Sequence, residues 1–286
     1  MKVSLGRKIY VIISTMFLIL LCCVMIAPLL KVIAESFSTR QFIETNSVLF
    51  WPKGFNIEAY KKVFSDQNIL RALRNSIFVT VFGTVINLTF TALLAYPLSR
   101  NEFLFKKSVL LMITITMIFT APLIPTYLVV KNLGMDNSFL GVIIPTAISG
   151  FNFFVMRSFF VGLPSELIDA ARIDGCSEMQ ILVRIVLPLS KAALATLGLF
   201  YGVGHWNALQ WPLIFLRSPK IQTLQLRLYS ILQEENTSSL DMGFINFSPE
   251  TIKMTTIVVA TIPILIIYPF LQKYFVQGAT LGSVKE

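Results

Sequence analysis

The sequence predicts an all-α polytopic membrane protein with six transmembrane helices, and three observations carry that prediction. The 286-residue chain is 55% apolar and only 14% charged, against roughly a quarter charged in a soluble domain. Its mean hydropathy is +0.73. Six nearly uncharged runs come to about 18 residues or more, the length a bilayer core demands of a helix. They are residues 11–30, 77–98, 109–130, 138–156, 185–215 (overlong) and 255–271. In hydrocarbon each backbone amide needs a partner within its own segment, so these runs read as helices.

The first run follows Lys2, Arg7 and Lys8. Its apolar stretch exceeds the roughly 7–15 residues of a cleaved leader and no A-x-A site follows, so an uncleaved first span is expected. Residues 34–72 form a polar external segment. Within it Ile57, Tyr60, Val63 and Phe64 recur at helical spacing, as in a short amphipathic helix on the membrane surface or packed on the bundle. Phe50, Trp51 and Pro52 suit an interfacial anchor. Short turns join spans two to four, which should therefore pack as antiparallel neighbours. Pro122, Pro125, Pro145, Pro212, Pro263 and Pro269 fall inside or at the ends of spans and predict bent helices. A second external loop covers residues 217–253.

Net charge is +9. Basic residues at helix ends facing lipid headgroups account for it without nucleic acid. Among the short loops, Arg100, Lys106 and Lys107 in one turn outweigh Lys131 in the next. That bias puts both termini in the cytoplasm. Cys22 and Cys23 are adjacent in the first span and Cys176 stands alone, so neither a disulfide framework nor a metal spacing exists.

What is missing narrows function. Spans one to four and six have no Asp, Glu, Lys, Arg or His in their interiors, and span five has Lys191 and His205. A proton- or sodium-coupled carrier needs charge at membrane depth. There is no G-x-x-x-x-G-K-[ST] loop for ATP, no H-E-x-x-H and no G-x-S-x-G. His205 is the sole candidate base, with no acid near it in sequence. Uphill transport by this chain would thus need energy from elsewhere. An ion-coupled secondary carrier and a non-transporting membrane assembly factor remain the alternatives.

The charged stretch at 163–188 has its own logic. Pro164 suits a first helical turn. Glu166 and Asp169 lie near that helix's N-terminus and Arg172 near its end, in accord with the helix dipole. Asp174-Gly175 reads as a stop with Gly175 at positive φ. Ser177 and Gln180 form a capping box for a second helix that carries Ile181, Leu182, Ile185 and Val186 and leads directly into span five. Ala170 and Ala171 beside Glu166 and Asp169 would let another surface approach closely.

Glu166, Ala170, Ala171, Asp174, Gly175, Ile181, Leu187 and Pro188 fall on a pattern that resembles the EAA signature of binding-protein-dependent ABC importers. Leu167, Ile168 and Asp169 depart from its commonest form, as does Leu182 near a frequent Phe. Asn75-Ser76, Trp206-Asn207 with Trp211-Pro212-Leu213, and the stretch from Tyr268 to Gly278 extend the likeness to the carbohydrate branch. The chain is identified as a MalG-like carbohydrate permease, most similar to the LplC/YtcP-type subgroup associated with complex or uronic-acid-containing saccharides.

That resemblance implies a type I importer permease (MetI/MalG-like) fold in the bacterial cytoplasmic membrane. It divides the chain into an N-terminal helix and external segment (1–72), a permease core (73–276) with the coupling loop (163–188), and a cytoplasmic tail (277–286). It implies a second, different permease subunit, two ATPase subunits holding ATP and Mg, an extracytoplasmic solute-binding protein and a saccharide, with no cofactor on this chain. Glu166, Asp169, Ala170, Ala171, Arg172, Asp174 and Gly175 would then meet the ATPase. His205, Trp206, Asn207, Gln210 and Trp211 are candidates for the sugar pathway, and the two Trp side chains equally suit an interfacial belt. Gln233, Glu234, Glu235 and Asn236 are candidates for contact with the binding protein.

Overall fold

The computed structural model describes residues 5–234 and 249–283, whose regular secondary structure is all helical with no strand among them. The chain forms two compact units, Met1–Leu70 with Leu228–Ile262, and Arg71–Arg227 with Pro263–Glu286.

The first unit begins with α1 (Leu5–Ser36), whose most apolar 18-residue window has none of its residues buried. Phe17, Leu20 and Met25 all face outward. That surface belongs against lipid or another helix, since in water it would be a large exposed apolar patch. Two short helices follow, α2 (Arg40–Glu44) and α3 (Glu58–Ser65). Ala34, Ile43 and Val48 make a small core beneath them. Ser38 ties the segment together: its hydroxyl donates to the Ala34 carbonyl at 2.7 Å and accepts from the Lys53 amide at 3.0 Å.

The amphipathic helix expected around Tyr60 exists, but its buried stripe is Ala59 and Val63, while Ile57 and Phe64 face outward. Tyr60 sets that rotation. Its ring stacks on Phe37 with centroids 4.7 Å apart, and its hydroxyl meets Ser36 Oγ at 2.8 Å. The helix is therefore packed within its unit.

In the second unit, α4 (Gln67–Ser99, entering from the first) is long and apolar enough to cross a membrane unaided, as is α1. The run at 109–130 is not one helix: it divides into α5 (Lys106–Ile118) and α6 (Leu123–Asn132). Phe119 turns extended, with φ −106° and ψ 99°, and Pro122 caps the second piece. A residue before proline is pushed out of the helical region, so a break is expected there.

The run at 138–156 comprises α7 (Phe139–Ile143), a 3₁₀ turn at Ile144–Thr146 that starts around Pro145, and α8 (Gly150–Val161), bent by 55°. Ser149 caps α8 by accepting from the Asn152 amide. The charged stretch folds as α9 (Ser165–Ile173) and α10 (Glu178–Ile181).

A π turn at Leu182–Val186 and the short α11 (Leu187–Leu189) lead to Ser190, and beyond it α12 (Lys191–Trp206) departs at 84°. The second coupling helix therefore does not lead directly into the fifth span. Pro188 has no N–H to return to a carbonyl one turn back, so the ladder widens and then fails. The overlong run at 185–215 ends in a separate α13 (Gln210–Phe215). Next come α14 (Leu224–Glu234) and α15 (Pro249–Ser283), each passing between the two units.

Two apolar clusters hold the second unit. Ala92, Ala95 and Leu98 of α4 pack with Phe153, Met156 and Phe160 of α8, with Ile168 and Ala171 of α9, and with Ile181 and Leu197. At the other end, Val79 of α4 packs with Val130, Val142, Ile143, Phe215 and Leu226. If these helices lie in lipid, such contacts stabilise by close packing rather than by release of water. Between the clusters, α4, α8 and α12 present polar side chains.

Candidate functional site

The hairpin of α9 and α10 is built as its sequence dictates. The Ser177 hydroxyl accepts from the Gln180 amide, and the Gln180 side chain accepts from the Ser177 amide at 2.8 Å, a complete capping box. Gly175 has φ +78° with open space around its Cα, so conformation rather than crowding selects glycine there. Pro164 stands at the N-cap, one residue ahead of the first turn expected for it.

Ile168 and Ala171 face the core, while Glu166, Leu167, Asp169, Ala170, Ile173 and Asp174 face outward. Ala171 is thus a packing residue and does not present itself to a partner: at 3.6 residues per turn it falls on the same stripe as Ile168. Ile173 is 87% exposed, an apolar side chain at the tip of a charged hairpin.

Arg172 is turned inward upon the hairpin's own support. Its guanidinium grips Glu102 with two bonds, Nη1 to Oε1 at 3.0 Å and Nη2 to Oε2 at 2.8 Å, and Nε donates to Glu178 at 2.8 Å. Asp169 lies 3.7 Å away. The Arg172 hydrogen bond lowers the Glu102 pKa below the usual carboxylate range. That of Glu178 is lowered first by the Tyr96 hydroxyl and then by Arg172. The two carboxylates in turn hold the Arg172 proton more tightly than usual.

Further along the unit lies a cavity of about 410 Å³ lined by Asn87, Ser149, Asn152, Tyr201, His205, Gln210 and Trp211, with Thr146 and Phe200 among its other walls. The Tyr201 hydroxyl meets Thr91 Oγ1 at 2.8 Å and accepts from the Ser149 amide at 3.1 Å. Asn87 donates to the Thr146 carbonyl at 3.1 Å, while its own carbonyl oxygen is buried without a partner among the described residues. His205 Nε2 is likewise buried and unpaired there. These amide, hydroxyl, imidazole and indole groups suit a ligand rich in hydroxyls, since they donate and accept in turn while an aromatic face covers C–H surface.

Three of the five predicted pathway residues, His205, Gln210 and Trp211, share this cavity. Trp206 does not; it is buried and lines a separate, largely apolar cavity of about 310 Å³ with Thr80, Thr84, Gly198 and Gly202. Asn207 is exposed at the C-cap of α12 and lines neither. Successive helix residues point about 100° apart, so Trp206 faces away from the side of α12 that carries His205. Asn87, Asn152 and Tyr201 were missed, although an amide inside an apolar run is a signal the sequence carries.

Gln233 is exposed and bonds Tyr229 at 3.1 Å. The side chain of Glu234 and all of Glu235 and Asn236 lie outside the described residues, as do residues 284–286 of the predicted tail.

A helical unit with a supported, charged hairpin and a polar cavity along the same helices is that of a membrane transport component. The chain belongs to the family described as "Binding-protein-dependent transport system inner membrane component", matched over residues 87–280.

Among its relatives, it is 40% identical to the polygalacturonan/rhamnogalacturonan transport system permease protein YtcP of Bacillus subtilis (strain 168), covering 94% of this chain and 96% of that one. It is 41% identical to the protein LplC of the same organism, over 97% and 95% of the two chains. Among solved structures, one chain of a bacterial ABC transporter involved in the import of the acidic polysaccharide alginate superposes with a TM-score of 0.88. That match has 30% identity and covers 96% of this chain and 99% of the other.

Proposed function

We propose that this chain is a permease subunit of an ATP-driven carbohydrate importer of the bacterial cytoplasmic membrane. It receives a saccharide from an extracytoplasmic solute-binding protein and passes it inward by alternating access. The family description supports the binding protein, and the names of YtcP and of the alginate importer support a complex or acidic saccharide. The observation that carries the reading is the presence in one unit of an outward-facing hairpin and a neutral, hydrogen-bonding cavity.

In this reading six spans are formed by α1, α4, the broken pair α5 and α6, the bent pair α7 and α8, α12, and α15. Both termini are cytoplasmic. The outer apolar face of α1 suits lipid and a second, different permease subunit. Glu166, Asp169, Ala170, Asp174 and Ile173 form the surface offered to one of two ATPase subunits. ATP and Mg are held there rather than on this chain, which performs no hydrolysis itself. His205, Gln210 and Trp211, with Asn87, Asn152 and Tyr201, line the sugar's path.

Affinity purification of this chain in mild detergent tests the reading. Recovery of an ATPase and a second permease is expected. The binding protein of the same complex should then bind uronate-containing or other complex oligosaccharides. Isolation of the chain alone, under conditions that keep other importers whole, would overturn it.

A further inference from the structure

A push on the α9 hairpin has to reach the cavity, and the covalent route is poorly built for it. From α10 the chain passes through a π turn and an 84° bend at Ser190 before α12 begins. No continuous helix therefore runs from α10 to α12, the ladder being interrupted around Pro188 and Ser190. Apolar packing in the cluster that holds Ile168 and Ala92 also joins the hairpin to α4, without the fixed orientation of a hydrogen bond.

A polar route runs instead to α4. Arg172 holds Glu102, in the turn after α4, with a two-pronged bond, and holds Glu178 at the start of α10. Glu178 accepts from the Tyr96 hydroxyl at 2.6 Å, and Tyr96 lies in the last turns of α4. The forked guanidinium–carboxylate pair fixes orientation as well as distance.

Two further bonds join α4 to α8. Arg157 Nε donates to the Leu98 carbonyl at 2.9 Å, and Arg100 donates to the Phe160 carbonyl at 3.2 Å. Each helix's closing carbonyls are thus capped by an arginine associated with the other. Asn87 on α4 and Asn152 on α8 both line the cavity. Nine residues separate Tyr96 from Asn87, about 13 Å along a helix axis.

We propose that Glu102, Arg172, Glu178 and Tyr96 form a relay that transmits displacement of the α9 hairpin to α4 and α8, and so to the cavity. Glu102 and Tyr96 are positioning residues, acting through Arg172 and Glu178. The relay rests on the importer reading above. Stability is not its main contribution: the side chains of Glu102 and Glu178 are 67% and 55% exposed, and exposed ion pairs add little to stability. What the relay supplies is direction.

The test uses the complete complex in proteoliposomes, with saccharide uptake and ATP hydrolysis measured together. Glu102→Ala and Tyr96→Phe should each leave hydrolysis within about twofold of wild type. Uptake per ATP should fall about 5- to 150-fold, the range of a typical coupling free energy. The double variant should be little worse than the more severe single one, as expected of residues in one network.

Loss of folded protein lowers uptake and hydrolysis together, so a parallel decline would overturn the relay. Unchanged uptake per ATP would overturn it also, and so would dissociation of the ATPase from Glu102→Ala. Failure of the wild-type complex to take up saccharide with ATP would instead overturn the importer reading itself.

Discussion

The Tyr96 hydroxyl donates a 2.6 Å hydrogen bond to Glu178 Oε2, across 82 residues of sequence. Glu178 opens α10, where a negative charge also complements the exposed amides of the helix start. One carboxylate therefore serves the helix dipole, the Arg172 guanidinium and the end of α4 at once. The hairpin at 163–188 is consequently no free surface loop; its inner side is bonded to the helices it stands on, and its outer side is exposed.

The carboxylates of that network predict a pH response. Their folded pKa values lie below the ordinary ones. The stability they contribute is thus fully present above the unfolded glutamate value of about 4.3, and is lost as pH falls through the folded values. Between about pH 6 and pH 8 the melting temperatures of wild type and Glu178→Gln should differ by a constant small amount. The difference should narrow as pH falls below the unfolded glutamate value and close only below the folded ones. A difference that varied across the neutral range would assign the network another titrating group.

Gly175 separates conformation from crowding. Its φ is +78° and a Cβ there would meet nothing within 4 Å. Gly175→Val should destabilise the hairpin by about 1–2 kcal/mol through the left-handed backbone alone. Gly175→Asn should cost less, because asparagine tolerates that region. Hydrogen exchange of the α9 and α10 amides measures the pair; equal effects would show that φ is not the constraint.

Gly83 offers the opposite case. A Cβ at this position would lie 2.6 Å from His205 Nε2, with the ring's carbon atoms at 2.8 and 2.9 Å. Gly83→Ala should displace the imidazole toward the cavity and lower the complex's uptake while leaving ATP hydrolysis by the ATPase subunits measurable. Adding His205→Ala should restore folding stability lost in Gly83→Ala, since the clashing ring is gone. A double variant no more stable than the single would place the strain elsewhere.

Ser177→Ala removes one half of the capping box. Loss of an N-cap hydroxyl costs about 1 kcal/mol, and the effect should be confined to the amides at the start of α10. Faster exchange at Gln180 with unchanged exchange in α8 is the expected pattern.

The sequence reveals local features that depend on nearby residues and obscures those that depend on distant ones. The capping box at Ser177 and Gln180 and the positive φ of Gly175 follow from residues within one turn. The break before Pro122 was available too, but a continuous apolar run at 109–130 concealed it. The inward turn of Arg172 was not legible, because Glu102 lies 70 residues away. The division of Trp206 from Trp211 between two cavities depends on the break between α12 and α13, which apolar periodicity does not mark.

In the proposed importer the α9 hairpin couples an external ATPase to passage of a saccharide through this chain. Its most direct test is ATP-driven saccharide uptake by proteoliposomes containing the complete complex and its binding protein, with wild type set beside Glu166→Lys. Wild type should accumulate saccharide only with ATP and binding protein present. Glu166→Lys, inserted at normal level, should lose saccharide-stimulated hydrolysis and uptake together. Uptake by this chain alone under an ion gradient, or unaltered hydrolysis and uptake in Glu166→Lys, would show that the hairpin has no such role.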